Sequence, residues 1–154
     1  MNTINHKKSF GPFIIFFFFL LLIHSCDFLN TQSSSFELKN GNYKIKCEGA
    51  TLIGLTGVKN RRIIDSNLSY CTILKTDFSD SSFFNIEIRD SILTSVTFVD
   101  ATFNNVNFTN SKLNKVDFTG VTFNNVTFNN VQYDESTRFP SGFIPQEYGL
   151  TKAP

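Results

Sequence analysis

The chain is poor in the residues on which most enzyme and metal chemistry depends. Its 154 residues contain no Trp, one Met, three Cys and two His, and both histidines, His6 and His24, lie within the first 25 residues. A chain processed after residue 25 keeps no imidazole, which excludes His-dependent triads, imidazole metal sites and the commonest general base. No Gly-rich phosphate loop and no Cys-x-x-Cys pair occurs. An excess of one charge is missing too. Without Lys7 and Lys8 there are 12 Lys or Arg against 13 Asp or Glu, neither a nucleic-acid binder's basic surface nor an acidic decoy. The longest apolar run, Phe13 to Ile23, has 11 residues, whereas a helix spanning a bilayer needs about 20. This length accommodates one domain and a targeting segment.

What the chain does contain is a period. Every fifth residue from Ile53 is apolar: Ile53, Val58, Ile63, Leu68, Ile73, Phe78, Phe83, Ile88, Leu93, Phe98, Phe103, Phe108, Leu113, Phe118, Phe123, Phe128 and Tyr133. Two residues ahead of each runs a second series that is mostly small or β-branched, including Ser66, Cys71, Thr76, Ser81, Ser91, Ala101, Val106, Ser111 and Val121, and Asn, Asp, Thr, Ser and Lys fill most other phases. A helix repeats its apolar face near 3.6 residues and a strand at 2, so neither keeps one stripe inside over this length. A chain that turns a corner every five residues does. With the central residues from Leu68 to Phe128 classed as aliphatic or Phe, 8 of 9 pairs agree at a lag of 20 residues, against 4 of 10 at lag 15 and 6 of 8 at lag 25. Lag 20 stacks Ile73, Leu93 and Leu113 in one column, Phe78, Phe98 and Phe118 in a second, and Phe83, Phe103 and Phe123 in a third. Asn85, Asn105 and Asn125 then form an outward column able to hydrogen-bond along its length.

Lys7 and Lys8 ahead of the apolar run read as an export signal. Ile23-His24-Ser25-Cys26 resembles the lipobox of bacterial lipoproteins, which implies removal of residues 1–25 and lipidation of Cys26. Ordinary signal cleavage, an uncleaved anchor and no processing are the alternatives. Residues 26–35, rich in Ser, read as a flexible tether. Residues 36–50 read as a cap: apolar and polar residues alternate on both sides of Asn40-Gly41, a two-residue hairpin turn placing Phe36, Leu38, Tyr43, Ile45 and Cys47 on one face. Two extended segments without cross-pairing are the alternative. Cys71 falls at a small, inward phase, so the expectation is a buried free thiol rather than a bridge to Cys47.

Segments such as Ala101-Thr-Phe103-Asn-Asn, Val106-Asn-Phe108-Thr-Asn and Val121-Thr-Phe123-Asn-Asn resemble the units of the pentapeptide-repeat family, with Val often in place of Ala at the small position. The resemblance implies an all-β fold, a right-handed quadrilateral β-helix over residues 51–133 with about four coils. Residues 134–154, with two Pro and two Gly between 134 and 149, resemble the family's C-terminal closing segment, so both ends are expected to be capped.

The outward phases carry the functional expectation. Ile64 and Phe84 stack on one face, with Leu74 and Ile92 elsewhere in the first half, a candidate surface for a protein partner. Asp80 stacks on Asp100, which a solvated corner column explains. Some pentapeptide-repeat proteins bind DNA gyrase as acidic mimics of DNA, but residues 61–133 hold 6 basic and 7 acidic side chains, a poor match. The expectation is therefore a non-catalytic, membrane-tethered scaffold in a bacterial envelope, facing the periplasm or exterior. It uses no cofactor, metal, nucleic acid or small-molecule substrate. A secreted or periplasmic soluble protein is the alternative location. An envelope accessory enzyme or cation binder using the acidic columns is the alternative function.

Overall fold

The computed structural model describes residues 34–47 and 49–154; the leader, Cys26 and tether residues 26–33 lie outside them. Six strands form one wall: β1 (Ser34–Lys39), β2 (Asn42–Cys47), β4 (Arg62–Asn67), β6 (Ser82–Glu87), β8 (Thr102–Asn107) and β10 (Thr122–Thr127). Six more form the opposite wall: β3 (Thr51–Ile53), β5 (Thr72–Leu74), β7 (Ile92–Thr94), β9 (Lys112–Asn114), β11 (Val131–Tyr133) and β12 (Leu150–Lys152). Through the array the pairing is parallel at a lag of 20, as in Phe83↔Phe103 and Leu93↔Leu113. A third side is held by single bridges, Asp77↔Thr97↔Asp117.

The corners explain the composition. One residue per pentad, two after each centre, takes positive φ from Asn60 to Asn130: Asp65, Asp80, Asn85, Asp90, Asp100, Asn105, Asn110 and Asn125 among them, with Gly120 at +72°. Asn, Asp and Gly tolerate this left-handed region best, so the repeat's Asn and Asp content is a requirement of turning. The same corners build ladders. The Asn85 amide donates to Asp65, Asn105 to Asn85 and Asn125 to Asn105, at 2.9, 3.0 and 3.1 Å. Asp90, Asn110 and Asn130 form a second such column.

Inside, the rings stack as columns. Phe78, Phe98, Phe118 and Phe139 lie near-parallel with centroids 5.3, 5.3 and 5.7 Å apart, within the 4.5–7 Å range of favourable aromatic pairs. Phe83, Phe103, Phe123 and Phe143 form a neighbouring column, edge-on between Phe83 and Phe103 and tilted beyond. Phe139 and Phe143 belong to the C-terminal segment and thus roof the last coil. Buried serines at the small phase accept backbone amides across coils, as Ser91 and Ser111 do from Cys71 and Ser91, both at 3.1 Å. Among the described residues no buried side-chain nitrogen or oxygen lacks a partner.

Five expectations need correction. The stack has about six turns rather than four, because the ends contribute walls of their own: β2 pairs in parallel with β4, and β12 with β11. The hairpin is present, with Asn40 and Gly41 at positive φ and Phe36↔Ile45 in register, but β2 is a coil wall and only β1 lies beyond it. Ser34 and Ser35, assigned to the tether, are strand. The phase slips in the first coil, where Leu52 is buried and Ile53 turns outward, since Leu52 pairs with Ile73 at a lag of 21. Lastly, Cys47 and Cys71 are bridged, with Cα atoms 6.1 Å apart. The wall register shifts between Tyr43↔Ile63 and Lys46↔Asn67, which carries Cys47 inward at the level beside Cys71, and both are buried.

Candidate functional site

The interior is occupied by its own buried side chains, so the residues open to contact are those of the walls and ends. On the first wall Ile64 and Phe84 are register partners on β4 and β6, both half-buried, and the Arg62 guanidinium carbon sits 4.6 Å from the Phe84 ring centroid. That distance is within cation–π range. On the opposite wall Leu74 lies on β5 between Ile53 and Thr94. Ile92 lies on β7 between Thr72 and Lys112 and is 41% exposed. The four residues expected to form a partner surface therefore make two patches half a turn apart. Ile53 joins the second patch, an addition hidden in the sequence by the phase slip.

The acidic columns are already engaged. Lys59 lies 3.8 Å from both Asp77 and Asp80, and Arg138 lies 3.6 Å from Asp117. Burial opposes ionisation of Asp77, but the hydrogen bonds from Ser79 and the Lys59 ammonium outweigh it and lower its pKa. Asp100 bends over Gly120, where a Cβ would collide with its carboxylate. No group of three His, Cys, Asp or Glu suited to a metal ion occurs among the described residues. Nor, among them, is any helix long and apolar enough to cross a membrane.

At the C-terminal end a one-turn 3₁₀ helix, Pro145–Tyr148, precedes β12. β12 covers the edge of one wall and leaves β10 as an open edge on the other. Beside it an open cleft of about 290 Å³ is lined by Phe123, Asn125, Val126, Phe128, Phe143 and Tyr148.

The coil of twenty residues, the apolar centre and the small residue two positions ahead agree with a family comparison: residues 61–137 match the profile of the pentapeptide repeat region. The chain belongs to the pentapeptide-repeat family. It is accordingly a right-handed quadrilateral β-helix. Similar solved structures include a pentapeptide-repeat protein from the Arabidopsis thaliana thylakoid lumen, at 17% identity and TM-score 0.47, covering 58% of this chain and 62% of that one. The chain thus spans about three fifths of that protein's length. Another is a pentapeptide-repeat protein from Nostoc PCC 7120, at 18% identity and TM-score 0.36, covering 70% and 84%. A third is HetL of Nostoc sp. strain PCC 7120, described as involved in regulating heterocyst differentiation, at 13% identity and TM-score 0.35, covering 64% and 53%. No curated protein matches the chain in sequence.

Proposed function

We propose that this pentapeptide-repeat protein is an exported, non-catalytic rod, held at a membrane of the bacterial envelope by lipid on Cys26, that presents a rigid wall to a protein partner. The observation that carries the reading is the outward apolar patch of Ile53, Leu74 and Ile92 on short, regularly paired strands. Elsewhere on this wall most outward positions are polar, and a rigid patch loses little freedom on binding. The Cys47–Cys71 bridge supports the export half, because such bonds persist in oxidising compartments.

A photo-crosslinking residue at Ile92, introduced in the source organism, tests the partner. A product of defined mass that disappears on Leu74→Glu is expected. A stable protein that yields no product would sink the claim. Detergent partitioning tests the tether: the native protein should enter the detergent phase and a Cys26→Ser variant should not gain the lipid mass. An unmodified native protein in the aqueous phase would leave only the soluble alternative.

A further inference from the structure

Charge is balanced over the whole chain but segregated along the rod. Residues 34–62 contain six Lys or Arg (Lys39, Lys44, Lys46, Lys59, Arg61, Arg62) and two acids, while residues 63–154 contain six cations and ten acids. The fold gathers four of the first group, Lys39, Lys44, Lys46 and Arg62, at one end of one wall. On β2, Ile45 and Cys47 point inward, so Lys44 and Lys46 point outward. Lys39 shares that outward face through the β1–β2 register, in which Glu37 opposes Lys44 and Ser35 opposes Lys46. Arg62 continues it on β4 opposite Asn42.

Lys59 is taken up by Asp77 and Asp80. Among the described residues the other five cations form no ion pair within 4.0 Å; Arg61 instead bonds the Gly57 carbonyl and lies over Tyr43, and Arg62 lies over Phe84. Glu37 is the single described acid on the outward face of the hairpin. Leu38, at the same end, is 50% exposed.

We infer that this basic end is a docking face for an anionic lipid surface, which lays the N-terminal coils against the membrane and points the acidic remainder away. Covalent reach favours a bilayer over other polyanions. Seven residues lie between Cys26 and Ser34, so the start of the face lies at most about 30 Å from whatever holds Cys26. The field of an anionic membrane acts within a Debye length, about 8 Å at physiological salt, and a face confined this closely samples it continually. The inference takes the nearness of a membrane from the proposed tether, but the charge and its geometry stand without it.

The test uses the full chain with Cys26→Ser and vesicles of phosphatidylcholine, with and without phosphatidylglycerol. The apolar leader and Lys7 and Lys8 are common to every variant, so the ratio of binding to the two vesicle types isolates changes in the folded face. Each cation near an anionic surface contributes about fivefold. Lys39→Gln/Lys44→Gln/Lys46→Gln should lower the ratio by about a hundredfold at low salt, and high salt should erase the difference between the variants. Lys112→Gln/Lys115→Gln, on the far half of the rod, should leave the ratio unchanged.

An unaltered ratio in the triple variant, or an equal loss in the control pair, overturns the inference. So does a wild-type chain that forms salt-sensitive oligomers without vesicles through the same lysines, which would make the partner the acidic half of a second copy. Failure of the tether alone reads differently: the native protein then lacks lipid while the vesicle ratio still depends on Lys39, Lys44 and Lys46.

Discussion

Removing the Cys47–Cys71 bridge should destabilise the rod in one place. The bond closes a loop with a sequence separation of 24, for which loop-closure entropy gives about 3.5 kcal/mol. Both cysteines are almost wholly buried, so replacing the pair with Ala leaves no exposed or unpaired polar group. In a solenoid each coil contacts mainly its neighbours, so the loss belongs to the levels the bond clips together. Denaturant unfolding of Cys26→Ser and of the same chain with Cys47→Ala/Cys71→Ala should differ by about 3.5 kcal/mol. Hydrogen exchange should show amides in β2, β3 and the start of β4 opening first, while β8 keeps its protection. A difference below about 1 kcal/mol, or equal loss of protection in β8, would refute the clip.

Four further outcomes follow from the packing. Phe103 is fully buried and touches Phe83, Phe98, Phe108, Phe118 and Phe123, so Phe103→Ala should cost about 4–5 kcal/mol in denaturant titration, more than Phe123→Ala at its half-buried site. Tyr70 occupies a left-handed corner at φ 59° and is 63% exposed; Tyr70→Asn should raise stability by about 0.5–1 kcal/mol in the same assay. Gly120→Ala should lose about 1–2 kcal/mol from its positive φ together with displacement of the Asp100 carboxylate by the new Cβ, and Gly120→Asn, which shares the displacement but tolerates the φ, should lose less, as thermal melts would show. At Asp134 burial opposes ionisation, but hydrogen bonds from the Lys115 amide and from Thr137 outweigh it and lower the pKa, as happens at Asp77. A lowered folded pKa gives stability that is present above the ordinary carboxylate range near pH 4 and lost as pH falls through the folded value. Asp77→Asn/Asp134→Asn should therefore flatten the acid limb of a stability-against-pH curve.

The period and columns were legible because the interior repeats: a stripe at every fifth residue and shape classes recurring at 20 leave few alternatives. The ends were less legible because they break the repeat. Tyr43, Ile45 and Cys47 alternate as any hairpin does, and nothing local says that β2 continues the wall. The missed turns, the slip at Leu52 and the unexpected bridge share that cause. The corners were half-read: Asn85, Asn105 and Asn125 stood out as a ladder, while their left-handed backbone, shared by Tyr70, Lys75 and Lys115, leaves a weaker mark in the sequence. Of the surface, Ile64 and Phe84 were placed together correctly by phase alone. Leu74 and Ile92 needed the walls to show them half a turn from that pair, and the basic end became visible only when β1 and β2 were stacked on β4.

The left-handed corner at every fifth residue also sets a rule for how this chain can change length. Twenty residues inserted at a corner thread one new coil between two old ones: every ring, serine and asparagine downstream keeps its column, and the acidic portion moves outward by one strand spacing, about 4.8 Å. Five residues inserted at the same corner satisfy the backbone equally well but rotate everything beyond them by one wall, carrying Leu74 and Ile92 off the face that Ile53 occupies. Reach and orientation are thus separately adjustable, reach in whole turns and orientation in quarters.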